Sequence, residues 1–183
     1  PANPIAMAEL RLVQVAWAIG VLGCGPPTVK GFLVQPSGFQ IETSATETHR
    51  ITHDHATKHG SPVKTVLGNL LADLRSTLAR GGRLTSFNLA FDAAVIHNEL
   101  GRAELESTWF WDAATHRGLD TMHPDICLWV TEMSGQAPSR YCSLKQALRT
   151  LVPQHQRLLD QHHDAEADAH MHWLVCEAAS PHV

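Results

Sequence analysis

The chain has 183 residues, of which 44% are hydrophobic and 17% charged, and its formal net charge is −4 at pH 7. This length suits one domain with a substantial core, and the composition is typical of a soluble globular protein. No apolar run approaches the roughly 18 residues that a transmembrane helix requires, and the negative charge disfavours a protein that holds long duplex DNA by phosphate contacts.

Two strands are predicted near the start of the sequence. Leu10 to Gly20 is short, β-branched and mostly apolar, which is typical of a strand covered on both faces. Lys30 to Gln35 predicts a second strand, and Pro36-Ser37-Gly38 ends it. The turn cluster Gly23 to Pro27 between them indicates an antiparallel hairpin. Residues 42–60 are polar and rich in His, so we expect short helical turns there at most.

The first long helix is predicted to start at Ser61-Pro62, because Ser is a favourable N-cap and Pro a favourable first helical residue. Apolar residues then recur at helical spacing and define one buried face. They are Val63, Val66, Leu67, Leu70, Leu71, Leu74 and Leu78. Gly81-Gly82 ends this helix, and Arg83 to Phe87 predicts a short strand.

The second half of the chain is predicted to continue with strands and helices. A helix is expected from about Phe91 to Arg102, and Asp120 to Trp129 contains a further short strand or turn. Ser143 caps a helix that Pro153 stops. The last helix runs from near Asp164 to about Ala178, with acidic residues in its first turn favoured by the helix dipole. The inward residues of the Phe91 helix are expected to be Phe91, Val95, Ile96 and Leu100. This order predicts the α/β class.

Two segments carry the main functional signal. One reads Ser86-Phe87-Asn88-Leu89-Ala90-Phe91-Asp92, and the other reads His163-Asp164-Ala165-Glu166-Ala167-Asp168-Ala169. In this order and at this distance they resemble the second and third motifs of the DEDDh 3′–5′ exonucleases, which read roughly His-Asn-x-x-Phe-Asp and His-x-x-x-x-Asp. Phe87 stands where the family commonly has His.

The resemblance implies a chemistry for three residues. Family members remove nucleotides from 3′ ends with two divalent metal ions, Mg²⁺ or Mn²⁺, held by four carboxylates. Asp92 and Asp168 would be metal ligands, and His163 would be the general base, a task suited to a pKa near neutrality. The implied substrate is a single-stranded DNA 3′ end, with RNA possible. A proofreading role would add a polymerase subunit as partner.

Weaker matches extend the resemblance from about Leu10 to Ala178. His49-Arg50-Ile51-Thr52 is similar to the family's His-Gly-Ile-Thr turn, which packs near the terminal nucleotide, with Arg50 in place of Gly. The resemblance therefore implies substrate contacts for His49, Ile51 and Asn88. It also implies the fold, a ribonuclease-H-like mixed sheet flanked by helices.

The family's first motif, Asp-x-Glu-Thr-x-Gly, does not precede the first predicted strand, where Glu9 is the only acid. We therefore expect residues 1–183 to be a single exonuclease-like domain that is N-terminally incomplete and lacks its first central strand. With two of four carboxylates, its activity should be impaired. The alternative is an inactive exonuclease-like domain that binds nucleic-acid ends or a polymerase.

Histidine and cysteine residues are candidate metal ligands in this sequence. His49/His53 and His55/His59 each have i, i+4 spacing, which would place both rings of a pair on one helix face, as zinc binding can require. A His-rich zinc-binding domain is therefore a second alternative function, whereas the plain interpretation of this segment is a solvated polar loop. The four cysteines are scattered and form no Cys-x-x-Cys pair. They predict reduced thiols in an intracellular, cytoplasmic protein without membrane contact.

Overall fold

The structure, a computed structural model, describes residues 9–121, 124–161 and 164–180. Its strands are β1 (Gln14–Ile19), β2 (Thr28–Leu33), β3 (Thr85–Ser86) and β4 (Leu119–Asp120). The helices are α1 (Thr43–His49), α2 (His53–His59), α3 (Val63–Ala79), α4 (Leu89–Arg102), α5 (Thr108–Arg117), α6 (Pro124–Met133), α7 (Leu144–Leu151) and α8 (Ala165–Ala179). A 3₁₀ helix, Pro153–Gln161, is kinked at His155. The mixed α/β class is confirmed.

The strands pair in two separate ladders. β1 pairs with β2, and β3 pairs with β4. At one end of the pair, the Val34 N–H donates to the Val13 carbonyl at 2.8 Å. At the other end, residues 20–27 connect the last residue of β1 to the first residue of β2. These strands therefore form the predicted antiparallel hairpin. The resemblance implied one mixed sheet, but the described strands pair only as β1 with β2 and β3 with β4. Strands β3 and β4 are two residues long each.

The chain divides into two compact units. Among the described residues, unit 1 comprises those up to Val15 and Phe32–Leu119, and unit 2 comprises Ala16–Gly31 and those from Asp120 onward. No helix within the described residues is long and apolar enough to cross a membrane.

The core of unit 1 is built on α3 and α4. The predicted apolar face of α3 is confirmed by its buried residues, which are Val66, Leu67, Leu70, Leu71 and Leu74. Helix α4 packs against α3 and α5 and buries Val95, Ile96 and Leu100. Phe91, expected to face inward, is instead 40% exposed. The helix begins two residues earlier than expected, and Leu89 takes the inward position at its start.

The core of unit 2 is built on α6, α7 and α8. Helix α7 packs against both neighbours and buries Ala147 and Leu148. Its predicted cap is confirmed, since the Ser143 hydroxyl accepts the Gln146 N–H at 3.1 Å. The range Asp120 to Trp129 was predicted to contain a short strand or turn; β4 ends at Asp120, and the helix α6 from Pro124 onward was not predicted. Its buried residues Ile126, Cys127 and Val130 share a helical face that packing on α7 stabilises.

Two further local predictions are corrected. Residues 42–60 hold two seven-residue helices, α1 and α2, rather than short turns at most. Thr52 caps α2 by accepting the His55 N–H at 3.2 Å. Ser61 does not cap α3, whose N-cap is Pro62; it forms a parallel bridge to Val34 instead. Backbone pairing with β2's extension thus outweighs the local capping preference of Ser.

Candidate functional site

Asp92 lies where a short strand gives way to a helix in unit 1. Strand β3 ends at Ser86, Asn88 is the N-cap of α4, and Asp92 is an exposed acid in the first turn. The Ser86 hydroxyl donates a hydrogen bond to Asp92 Oδ2. The buried face of α4 holds the helix start in place, so the carboxylate is anchored at an exposed helix N-terminus. This position favours its negative charge.

Asn88 is positioned by the backbone rather than by its own side chain. It has the extended-region φ of −154° and makes no side-chain capping bond. Its carbonyl accepts the N–H groups of Phe91 and Asp92 at 3.0 and 3.1 Å. The Asn88 backbone therefore holds the first turn that carries Asp92, while the Asn88 side chain is exposed.

Asp168 lies in the first turn of α8 in unit 2. It is half-buried, and its N–H donates to the Asp164 carbonyl at 2.9 Å. Asp164 itself is the N-cap, and its Oδ1 accepts the N–H groups of Glu166 and Ala167, both at 3.1 Å. The structure therefore uses Asp164 as a capping acid. His163, the predicted general base, lies outside the described residues.

Glu166 is exposed and takes a different position from Asp168. Its side chain lies over Gly31 of β2, so closely that a Cβ at Gly31 would come within 2.1 Å of Glu166 Cγ. Only glycine at that strand position admits the glutamate side chain. The start of α8 is thus packed on β2, which orients the helix turn that carries Asp168.

The His49–Thr52 turn is tightly ordered in unit 1. Arg50 ends α1 in the left-handed conformation, with φ 61° and ψ 14°. The position thus keeps the backbone that favours Gly, the residue found there in the resembling family, at a cost of about 1–2 kcal/mol for a side chain with a Cβ. The Thr46 hydroxyl donates to the Ile51 carbonyl at 3.1 Å and fixes the other end of the turn.

His49 has an unusual environment in this turn. Its Nδ1 accepts the Ile51 N–H at 3.1 Å, so the neutral ring carries its proton on Nε2. Nε2 is buried and has no hydrogen-bond partner among the described residues. Burial lowers the pKa of His49, against a smaller opposing effect of the backbone hydrogen bond. A neutral imidazole here can donate one hydrogen bond without introducing a charge.

The structure groups the predicted site residues in three places. Asn88 and Asp92 lie together at the β3–α4 junction, and His49 and Ile51 lie together in the turn after α1. Asp168 lies at the start of α8. Sequence reasoning did not single out Ser86, although it belongs to the quoted motif. Ser86 is the last residue of β3 and Asp92 lies in the first turn of α4, so neither the strand period nor the helix period relates the two positions.

The zinc-site alternative receives little support. His49 and His53 lie in different helices, because Arg50 ends α1 between them. His55 and His59 do share a face of α2, with ring centroids 4.9 Å apart, and both are exposed. Within residues 9–121, 124–161 and 164–180, no group of three or more His, Cys, Asp or Glu side chains is arranged to hold a metal ion.

A shallow cavity elsewhere in unit 1 contains none of the predicted site residues. Its volume is about 360 Å³, and Trp109, Asp112, His116 and Arg117 of α5 contribute to its lining. The Arg75 guanidinium stacks on the Trp109 ring at 4.7 Å. The indole is therefore engaged in intramolecular packing.

Comparison with known proteins identifies the fold. No protein-family model matches the sequence, and no curated protein matches it. The crystal structure of E. coli exonuclease I in complex with a dA16 oligonucleotide matches with a TM-score of 0.65 and 16% identity, over 86% of this chain and 33% of that chain. The complex of E. coli exonuclease I with a 5cy-dA13 oligonucleotide matches with a TM-score of 0.61 at 16% identity.

A third exonuclease I structure, whose description concerns how processivity is achieved, matches with a TM-score of 0.63 and 17% identity. The chain spans about a third of the length of these solved structures. The likeness shows that this chain has an exonuclease I-like fold.

Proposed function

We propose that this chain is a 3′–5′ exonuclease-like domain that binds single-stranded DNA 3′ ends, with Asp92 and Asp168 as metal ligands and His163 as general base. The supporting observation is the exonuclease I-like fold in combination with the motif order along the chain. Asp92 lies exposed at the β3–α4 junction, where the Ser86 hydroxyl donates to its carboxylate, and this setting suits an acid that meets a phosphate or its counter-ion.

The described residues do not by themselves fit a two-metal centre. Asp92 and Asp168 supply carboxylate oxygens of the kind that Mg²⁺ and Mn²⁺ prefer. Two-metal hydrolysis in the resembling family uses four carboxylates, however, and no described group of three or more candidate ligands exists. We therefore expect this chain to bind 3′ ends more readily than it hydrolyses them.

Substrate contacts are proposed for His49, Ile51 and Asn88. His49 Nε2 is buried and lacks a hydrogen-bond partner among the described residues, so its N–H can donate to a terminal nucleotide only if the turn opens around it. The half-buried Ile51 offers an apolar surface for a base or sugar. The exposed Asn88 amide offers both a donor and an acceptor at the residue that begins the helix of Asp92.

Hydrolysis is tested first. A 5′-labelled single-stranded oligonucleotide is incubated with the chain and Mn²⁺, beside the His163→Ala variant, and the products are resolved on a sequencing gel. Stepwise shortening from the 3′ end that falls by about 10²-fold or more in the variant supports His163 as general base. Shortening that is equal in both proteins contradicts the role of His163.

Binding without hydrolysis is tested in EDTA by fluorescence anisotropy. Removing a carboxylate that lies near a phosphate should tighten binding, because repulsion at about 4 Å costs about 1 kcal/mol in water. Asp92→Asn should thus lower the Kd about fivefold. Asp125→Asn is the matched control, because Asp125 is also an exposed first-turn acid, of α6. Equal effects in both variants, or no binding by the unaltered chain, would contradict the proposed site.

A further inference from the structure

Two thiols of unit 2 meet inside its helical core. Cys127 lies on α6 and is fully buried, and Cys142 lies just before α7 and is 8% exposed. The Cys142 thiol donates to Cys127 Sγ at a sulfur–sulfur distance of 3.1 Å. A disulfide requires about 2.05 Å, so the two sulfur atoms need to approach by only about 1 Å.

The surroundings of the pair set which thiol reacts first. Cys142 lies between Tyr141, which is 78% exposed, and the exposed Ser143. The Ser139 hydroxyl exchanges hydrogen bonds with the backbone of Tyr141 itself, so this stretch is stabilised mainly by local contacts. Burial raises the pKa of the Cys142 thiol to about 12, so this thiol is protonated at neutral pH while it stays buried. A small local opening at Cys142 is sufficient to expose it to solvent, whereas Cys127 is held within α6.

We propose that Cys127 and Cys142 are a redox-modification site that forms an intramolecular disulfide with low-molecular-weight disulfides such as oxidised glutathione. The Cys142 thiolate attacks one sulfur of oxidised glutathione, forms a mixed disulfide and releases one glutathione thiolate. The Cys127 thiolate then attacks Cys142 Sγ, forms the protein disulfide and releases the second glutathione thiolate. The protein pair loses two electrons, oxidised glutathione gains them, and the two thiol protons pass to the released glutathiones.

The bond would close the connection of residues 128–141 between α6 and α7. That segment includes Gly135 in the left-handed region, with φ 69°, and the exposed Met133 and Tyr141. Cross-linking restricts the unfolded chain more than the native one, in which the two sulfur atoms already touch. The disulfide should therefore stabilise the α6–α7 connection and slow its opening.

The test uses the full chain carrying Cys24→Ser, which removes the exposed thiol. Reduced and fully oxidised samples are equilibrated in glutathione redox buffers until both reach the same end point, with and without urea. Acid quenching, alkylation and peptide mass mapping then quantify the Cys127–Cys142 disulfide. Cys24→Ser/Cys142→Ser is the control that cannot form it.

The native contact should give an effective thiol concentration at least about tenfold higher in buffer than in urea, because the two groups are already oriented. The oxidised chain should also have a higher Tm than its reduced form, with no such difference in the control. An effective concentration no higher in buffer than in urea overturns the proposal. So does a stable glutathione adduct on Cys142 without the intramolecular bond.

Discussion

Glu99 is the residue whose replacement we expect to disturb unit 1 most. It lies on α4 with only 2% of its surface exposed, and its Oε1 accepts three hydrogen bonds. The donors are the Arg11 Nε at 2.8 Å, the Arg102 Nη1 at 2.8 Å and the Leu12 N–H at 3.2 Å. This single oxygen ties the segment before β1 to the helix that carries Asp92.

The magnitude follows from the burial of each partner. Breaking a buried ion pair costs about 3–5 kcal/mol when the remaining charge stays uncompensated. The Arg11 and Arg102 side chains are 24% and 31% exposed, so water compensates part of their charge when the carboxylate is removed. For Glu99→Gln, which keeps the shape and one acceptor oxygen, we therefore expect a loss of about 2–3 kcal/mol in the free energy of unfolding. Glu99→Ala should lose about 4 kcal/mol, because it also leaves a cavity.

Urea unfolding followed by far-UV circular dichroism measures these losses. Glu106→Gln is the matched control, since Glu106 also pairs with an arginine, Arg75, at 3.1 Å, but both side chains are about half exposed. An exposed pair contributes no more than about 1 kcal/mol. If Glu99→Gln destabilises the chain no more than Glu106→Gln, burial does not govern these two ion pairs and the reasoning is refuted.

Three further predictions concern caps and a buried histidine. Arg50→Gly should raise the free energy of unfolding by about 0.5–1 kcal/mol, because the relief of left-handed strain exceeds the entropy cost of Gly, whereas Arg50→Ala should not; equal effects in urea unfolding would contradict this. Ser143→Ala should lose about 1 kcal/mol with its N-capping bond, and Ser134→Ala, which removes a hydroxyl that donates to the Thr131 carbonyl at the C-terminal end of α6, should lose less in the same assay. Burial lowers the pKa of His172 from 6.5 to about 4, so its neutral form stabilises the fold fully above pH 6.5 and this stability is lost as the pH falls towards 4. Between pH 7 and pH 4.5, urea titrations should therefore show a loss of about 2–3 kcal/mol that disappears in His172→Gln, and an unchanged loss in that variant would rule out the histidine as its source.

The helices that were predicted well carry their signals within a few residues. The spacing of Val66, Leu67, Leu70, Leu71 and Leu74 predicts both the existence and the buried face of α3, because one side of a helix must face the core. The predicted cap of α7 was also correct, since the Ser143 oxygen meets a backbone N–H only three residues away. Asp164, expected as an acid of the first turn of α8, is the N-cap of that helix.

The errors occurred where contacts distant in sequence outweighed a local preference. Helix α6 was not predicted, because a short apolar run such as that around Ile126 fits a strand or a helix until α7 covers one face. Ser61 has the chemistry of a cap but pairs with Val34 instead. Phe91 fits the inward stripe of α4, yet Leu89 fills that space.

For the candidate site, the sequence by itself determined which residues are available and in what order. The motif around Asp92 and the helix start before Asp168 are local patterns, and the family resemblance that they predicted agrees with the exonuclease I-like fold. Only the tertiary structure decided what surrounds them. The Ser86 hydroxyl on Asp92, the three donors on Glu99 and the Cys127–Cys142 contact join residues through folding rather than through a sequence period. Such contacts depend on how whole elements pack, and packing is determined by the summed burial of many side chains rather than by any one motif.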